Sequence, residues 1–309
     1  MPSIYIYDGV RVRGIDSPST RPLRWAAWRP DGAWALLAGN RGEAWRFDGE
    51  RFERLDSRSA HNLRGVAWSP DGAAALLCGN RGALLLTDGS RFDELPSPTS
   101  ENLRRIAWSP DGASALIIGN AGTVLRYDAS THAVAPLPGD RAHTMRAIAW
   151  RLDGAYALIG AYASRFAGYP RPHMLYRCDG RFTQAMLATD DEDDAVAIGW
   201  RPGAADHDAL ILCVSYSAQG TASKLLRYDG AGFQTRAIET TAALLGAAWR
   251  PDGASALLCG ERGTLLRLEG DRVDAIDSGA ADNLVGPFWH PSGATALFLK
   301  GPADKVYTA

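Results

Sequence analysis

The sequence has almost no net charge and no long apolar segment. Its 309 residues include 33 Lys and Arg against 35 Asp and Glu, which leaves a formal charge of −2. A general nucleic-acid binder needs a strong basic excess to neutralise phosphates, so this balance argues against that class of protein. No stretch approaches the roughly 18 consecutive apolar residues that a membrane-spanning helix requires. We therefore expect neither a nucleic-acid partner nor a membrane partner.

Cysteine and histidine are scarce, and neither is spaced like a set of metal ligands. The four Cys form no C-x-x-C pair, and the six His show no H-x-H or H-E-x-x-H spacing. The start of the chain, Met1-Pro2-Ser3, lacks the basic and apolar regions of a signal peptide. The sequence predicts a cytoplasmic protein with reduced thiols, no cofactor and no metal site.

Tryptophan, in contrast, is abundant, and seven of the ten Trp recur in one context at spacings of 40, 40, 42, 50, 49 and 40 residues. Most are followed by a Pro-Asp-Gly turn, and units four, five and seven carry altered versions of it. Pro and Gly set the backbone angles of a tight turn between antiparallel strands. The seven residues are Trp28, Trp68, Trp108, Trp150, Trp200, Trp249 and Trp289. We expect each to fill the same slot between neighbouring units, whereas Trp25, Trp34 and Trp45 depart from the repeat without an evident reason.

One unit of the repeat predicts four short strands, here called A to D. In the third unit they are residues 103–108, 114–119, 123–127 and 133–137. An Asp-Gly turn joins C to D in five units, and turns of the Gly-Asn-Arg-Gly type join B to C. The strand segments are apolar or alternating, and no 3.6-residue period is sustained, so helix is essentially absent.

Seven four-stranded repeats of about 40–45 residues are typical of a seven-bladed β-propeller. The sequence resembles WD-repeat and TolB-like propellers, whose blades also carry an aromatic-x-Pro-Asp-Gly hairpin between strands A and B. The Gly-His and Trp-Asp dipeptides of true WD repeats are missing, so the resemblance implies the fold and leaves the function open. We predict one all-β domain over residues 1–309, whose antiparallel blades start near residues 23, 63, 103, 145, 195, 244 and 284.

The two ends of the chain are expected to complete the last blade together. Residues 1–17 match strands C and D, and residues 284–300 match strands A and B. Such closure hides the strand edges that an open ring would expose. Residues 305–308 could also form a third strand, so the occupant of that place is left open.

The B–C and D–A loops should lie on one face of the ring and the short turns on the other. Blades four and five take much of their extra length in adjacent B–C loops, residues 161–173 and 215–223. One-sided insertions often mark a binding face, although neutral loop drift explains either insertion equally well. Tyr and Arg are common anchors at interfaces, so the candidates here are Arg165, Tyr169, Arg171 and Tyr216.

A second candidate is the position four residues before each repeated Trp. It is basic in blades one to four, as Arg24, Arg64, Arg104 and Arg146, and aliphatic in blades five to seven, as Val196, Leu245 and Val285. These side chains should rim the channel near the start of strand A. The arc could bind an anionic or carboxylate-bearing ligand through bidentate contacts. Alternatively, each Arg pairs with a carboxylate in its own or a neighbouring blade, or extends into the channel.

Residues 190–194, five carboxylates in a row, lack the spacing of a calcium loop, and we expect a solvated acidic loop. The leading hypothesis is a monomeric, non-catalytic scaffold that binds a protein, a peptide or a small anionic ligand through the face of the B–C and D–A loops. The alternative is a propeller enzyme of the lyase, lactonase or glycosidase type. Its candidate residues are Glu101, His61 and His143, beside the arginine arc.

Overall fold

The computed structural model describes residues 3–138, 143–162, 173–181, 183–188, 193–204, 208–217, 220–240 and 242–301. Within these ranges the chain forms seven four-stranded antiparallel sheets, three short 3-10 turns and no α-helix. No helix in the described ranges is long and apolar enough to cross a bilayer. The prediction of an all-β ring of seven four-stranded blades is confirmed.

The strands follow the chain from blade to blade. β1 (Ile4–Tyr7) and β2 (Val12–Ile15) belong to the last blade. Blade one is β3 (Leu23–Trp28), β4 (Ala35–Gly39), β5 (Glu43–Phe47) and β6 (Phe52–Asp56). Blade two is β7 (Leu63–Trp68), β8 (Ala75–Gly79), β9 (Leu84–Thr87) and β10 (Phe92–Glu94). Blade three is β11 (Leu103–Trp108), β12 (Ser114–Gly119), β13 (Val124–Asp128) and β14 (Val134–Pro136).

The remaining blades repeat the same order of strands. Blade four is β15 (Thr144–Trp150), β16 (Ala157–Tyr162), β17 (His173–Cys178) and β18 (Thr183–Ala188). Blade five is β19 (Asp193–Trp200), β20 (Ala209–Ser217), β21 (Gly220–Tyr228) and β22 (Phe233–Ile238). Blade six is β23 (Leu244–Trp249), β24 (Ala256–Gly260), β25 (Leu265–Glu269) and β26 (Arg272–Ala275). Blade seven is β27 (Leu284–Trp289) and β28 (Ala296–Lys300), followed in space by β1 and β2.

The last blade closes the ring in the way that the sequence predicts. β1 pairs with β28 in antiparallel register, Ile4 opposite Leu299 and Tyr7 opposite Ala296. All four side chains of β1 are buried. The third strand of this blade is therefore the N-terminal segment, and residues 305–308 lie outside the described ranges.

The hydrophobic core lies between blades rather than within them. Both faces of strand B are buried because its alternate side chains enter two different inter-blade layers. Leu77 packs towards blade one beside Trp34, whereas Leu76 packs towards blade three beside Ile117. This explains why strand B is an uninterrupted apolar run, since a strand covered on both faces needs no polar side.

The repeated Trp joins each blade to the one before it. In five blades the indole Nε1–H donates to a carbonyl oxygen of strand A in the preceding blade. The bonds run from Trp68 to Ala27, Trp108 to Ala67, Trp150 to Ala107, Trp200 to Ala149 and Trp289 to Ala248, at 3.0–3.2 Å. The predicted inter-blade slot is confirmed.

Two blades offer a matched comparison of this bond. The Trp68 indole donates to Ala27, whereas the buried Nε1 of Trp249 has no hydrogen-bond partner among the described residues, and both rings lie beneath an arginine. We expect Trp68→Phe to lower the free energy of unfolding by about 2 kcal/mol more than Trp249→Phe, because only the first change removes a bond. Urea unfolding of both variants measures the difference. Equal losses would contradict this role of the indole.

The turns between strands A and B also connect neighbouring blades. Nε of Arg29, Arg201 and Arg250 donates to the carbonyl of the turn glycine in the next blade, at 2.8–3.1 Å. In blade seven the Nε2 atom of His290 makes the equivalent contact with Gly32 of blade one at 3.0 Å, across the closure. His290 thus serves to close the ring.

Candidate functional site

Three residues of the predicted arginine arc form one recurring contact within their own blades. Nε of Arg24 donates to Oδ1 of Asn40 at 2.9 Å, and Arg104 donates to Asn120 at the same distance. Arg64 makes the equivalent bond to Asn80. The Asn follows strand B in the same blade, so each pair ties the start of strand A to the B–C turn. Burial lowers the pKa of Arg24, and Arg104 is only 5% exposed.

The pairing accounts for the arginines of blades one to three. Blades one to three have both the Arg and the Asn, whereas blade six has Leu245 and Glu261 at the corresponding positions. In this recurring contact each arginine donates to a neutral amide oxygen. Arg146 of blade four lies on the wall of the channel cavity described below.

The B–C turns add a second set of arginines, which the sequence did not single out. Arg41, Arg81 and Arg262 each adopt a positive φ, between 53° and 57°, and are exposed. Their backbone N–H groups donate to Oδ1 of Asn62, Asn102 and Asn283, which precede strand A of the next blade. The signal available in the sequence was the Arg of the repeated Gly-Asn-Arg-Gly turn.

The insertions of blades four and five are only partly described. Arg165, Tyr169 and Arg171 lie outside the described residues, and for Tyr216 only the backbone, in β20, is described. The prediction of a B–C loop at 215–223 is wrong, because β20 and β21 continue as one hairpin with Ser217 paired to Gly220. The extra length therefore extends the two central strands of blade five.

The acidic run is not wholly a solvated loop. β19 begins at Asp193, and both Asp193 and Asp194 are 5% exposed. Asp193 forms an ion pair with Lys224 of β21. The expectation of a solvated loop is wrong for these two residues because strand A of blade five is longer than in other blades and includes them. Residues 190–192 lie outside the described ranges.

The residues of the enzyme hypothesis lie in equivalent loops of successive blades but differ in exposure, and His61 is half-buried. His143 is buried, and its Nδ1 is hydrogen-bonded to the hydroxyl of Tyr176 at 2.7 Å. Glu101 is exposed in the equivalent loop of the preceding blade. Among the described residues no three His, Cys, Asp or Glu side chains are close enough to hold a metal ion. Burial raises the pKa of the Cys78 thiol to about 12, so it is not a nucleophile near neutral pH.

The channel itself contains a cavity of about 270 Å³, lined by strand A of most blades. The shape of this cavity depends on the residue that stands three positions before each repeated Trp. This residue is Gly or Ala in five blades and has a large side chain in the other two. From blade one to blade seven the residues are Trp25, Gly65, Arg105, Ala147, Ala197, Gly246 and Gly286. The small residues leave space beside blades four to seven, and Trp25 and Arg105 occupy the other side.

Trp25 and Arg105 contact each other on one side of the channel. Cζ of Arg105 lies 3.5 Å from the centre of the Trp25 ring, which also packs edge-on against Phe288 at 4.8 Å. Removal from water and the neighbouring charge of Arg146 lower the pKa of Arg105 to about 9. The structure thus gives one of the unexplained tryptophans a role in the channel.

The other two unexplained tryptophans are structural. Trp34 packs edge-on against Trp68 of blade two, with ring centres 5.0 Å apart. Trp45 donates its indole N–H to the buried carboxylate of Glu43 at 2.6 Å. Both therefore support the walls of blade one away from the channel.

Comparison with solved structures agrees with this architecture. The β-propeller domain of Cps50 (Swd1) from Myceliophteria thermophila is 12% identical, with a TM-score of 0.67 over 92% of this chain and 98% of that one. The chain is a seven-bladed β-propeller. The propeller of YCF48, solved bound to D1 peptide, is 17% identical, with a TM-score of 0.68 over 97% and 98% of the two chains. No protein-family model and no curated protein matches the sequence.

Proposed function

We propose that this propeller is a non-catalytic scaffold that binds a protein or peptide through the face carrying its B–C and D–A loops. The observation that carries the proposal is the concentration of arginine there. The exposed arginines of three B–C turns accompany the three that are held by asparagine at the start of strand A. Guanidinium groups are frequent anchors at protein interfaces, where they bind carboxylates bidentately.

The arrangement favours a partner with acidic character. At the start of strand A, Arg24, Arg64 and Arg104 each donate to a neutral amide. The exposed side chains of Arg41, Arg81 and Arg262 are the ones that an incoming acidic segment would meet first. The similarity to YCF48, which was solved with a bound peptide, supports a propeller that binds peptides. We also assign Arg146, Arg165, Tyr169, Arg171 and Tyr216 to this face as part of the proposal.

The test is a peptide library displayed on phage and selected against the intact chain. One variant combines Arg41→Gly, Arg81→Gly and Arg262→Gly, and glycine adopts the positive φ of these positions without strain. The matched control combines Arg11→Ala, Arg51→Ala and Arg91→Ala, which are exposed on the C–D turns of the opposite face.

We expect selection of acidic peptides that bind the first variant at least roughly tenfold more weakly, with a smaller dependence on salt. The control variant should bind them as the unmodified chain does. Selected peptides that lose affinity only for the control variant would place the site on the opposite face. Selection of no peptide at all would contradict the proposal.

We further propose that the protein acts as a monomer in the cytoplasm. Cys78, Cys178, Cys213 and Cys259 are all buried and free of disulfides, which fits a compartment that keeps thiols reduced. Light scattering after gel filtration tests the monomer, and a mass near twice that of the chain would contradict it.

A further inference from the structure

One guanidinium reaches across a whole blade inside the channel. Arg105 belongs to strand A of blade three, yet it stacks on Trp25 of blade one. Blade two has Gly65 at the equivalent position, where a Cβ atom would meet the carbonyl oxygen of Arg104 and the Cα atom of Arg105, so strand A of blade three approaches closely. Nη1 of Arg105 donates to the carbonyl oxygens of Arg64 and Arg104 at 3.0 and 2.8 Å. The side chain is thereby held at one place in the cavity wall.

No carboxylate accompanies this guanidinium in the part of the chain that the structure describes. Its contacts are with two carbonyls and an aromatic ring, and its charged neighbours are Arg146, Arg104 and Arg64. Arg105 is half-buried, and a cation that is partly withdrawn from water without a counter-charge is held unfavourably. An anion that entered the cavity would therefore be bound favourably, because it would supply the missing charge.

The geometry also selects the kind of anion. Within the described residues the Nε and Nη2 atoms of Arg105 donate no hydrogen bond, and together they form the edge of a guanidinium that fits a carboxylate. One such edge suits a planar monoanion better than a phosphate dianion, which needs more donors. The opposite wall is aliphatic, with Val196, Leu245 and Val285, so it would contact hydrocarbon and not further charge.

We propose that the cavity binds a small carboxylate, whose oxygens accept hydrogen bonds from Nε and Nη2 of Arg105. Its apolar body lies between Trp25 and the aliphatic wall of blades five to seven. A volume of about 270 Å³ is just below the range of roughly 300–1,000 Å³ typical of sites for drug-sized ligands. A free organic acid and the C-terminal residue of a peptide share this chemistry. The site does not depend on the exposed arginines of the loop face.

The experiment titrates defined probes into the intact chain, with calorimetry and tryptophan fluorescence as readouts. Phenylacetate is compared with its neutral amide, phenylacetamide, and with chloride. The peptide Gly-Gly-Phe is compared in its free and C-terminally amidated forms. Three variants are used: Arg105→Met removes the charge, Ala197→Phe fills the cavity while keeping Arg105, and Arg91→Met removes an exposed arginine far from the channel.

We expect saturable binding of an acid and at least roughly tenfold weaker binding of the matching amide, because the amide forfeits a charge-assisted pair. Arg105→Met should lower the affinity for the acid by a similar factor. It should not lower the melting temperature, since it removes an uncompensated charge. Ala197→Phe should also lower the affinity for the acid, and Arg91→Met should leave it unchanged. If phenylacetate binds more tightly than Gly-Gly-Phe, the ligand is a free acid. If Gly-Gly-Phe binds more tightly, the ligand is the C-terminus of a peptide.

Several results would overturn the proposal. These are the absence of saturable binding by either acid, equal affinity for acid and amide, and chloride binding as tightly as the acids. If Arg105→Met lowers the melting temperature and the native chain binds no acid, the arginine is only a structural link between blades one and three.

Discussion

Removal of residues 1–17 should leave the chain without a cooperative folding transition. The deletion takes away β1, whose four side chains are buried in the two layers on either side of blade seven. Each such side chain contributes about 1.5–3 kcal/mol by burial, so their combined loss is comparable to the about 5–15 kcal/mol by which a domain is stable. Circular dichroism and tryptophan fluorescence during urea unfolding measure the transition.

The control for this deletion is a circular permutant. It begins at Pro18 and carries residues 1–17 after Ala309, so the same strands can form from one end of the chain. The backbone supports this connection, because Lys300 N–H donates to the carbonyl of Ser3 at 2.9 Å. We expect the permutant to unfold cooperatively. A truncated chain as stable as the full one would show that β1 is dispensable for closure.

The second large effect is expected at the B–C turns. Gly82 has φ +73°, and a Cβ atom there would overlap the carbonyl oxygen of Thr99 in the adjacent D–A loop. Gly82→Ala should lower the free energy of unfolding by at least about 4 kcal/mol, because backbone strain is added to a clash that only main-chain movement relieves. Thermal and urea unfolding of the purified variant measure the loss.

Gly49→Ala is the matched control for the turn. Gly49 also has a positive φ, +105°, but nothing lies within 4 Å of the Cβ position. This change should cost about 1–2 kcal/mol, from backbone strain alone. Gly263→Ala should repeat the large effect in blade six, where the carbonyl of Ala280 stands in the same place. Similar losses at Gly82 and Gly49 would mean that close packing between loops is unimportant.

The number of blades and the bounds of most strands could be predicted from the sequence because they depend on local chemistry. A Pro-Asp-Gly turn closes a hairpin wherever it stands, and seven copies predict seven hairpins. In blade three the predicted strands A and B agree with β11 and β12 at both ends. The forecast was poorest in blade five, where β19 and β20 extend into segments that composition alone suggested were loops.

The candidate site could be predicted only in part. The arginines before each Trp were visible as a repeat, but their asparagine partners lie 16 residues further along the chain. Arg105 was missed because it occurs once, at a position where other blades carry mainly Gly or Ala. An exception within a repeat is informative only when the direction of its side chain is known.

Local sequence thus determined the fold of this propeller, since each hairpin forms from neighbouring residues whose turn angles and apolar pattern leave little choice. The side-chain contacts inside the channel, in contrast, depend on the tertiary structure. Arg105 and Trp25 are 80 positions apart in the chain and meet over Gly65 because closure brings every strand A to one axis. No local pattern encodes that contact, since it needs the geometry of three blades at once.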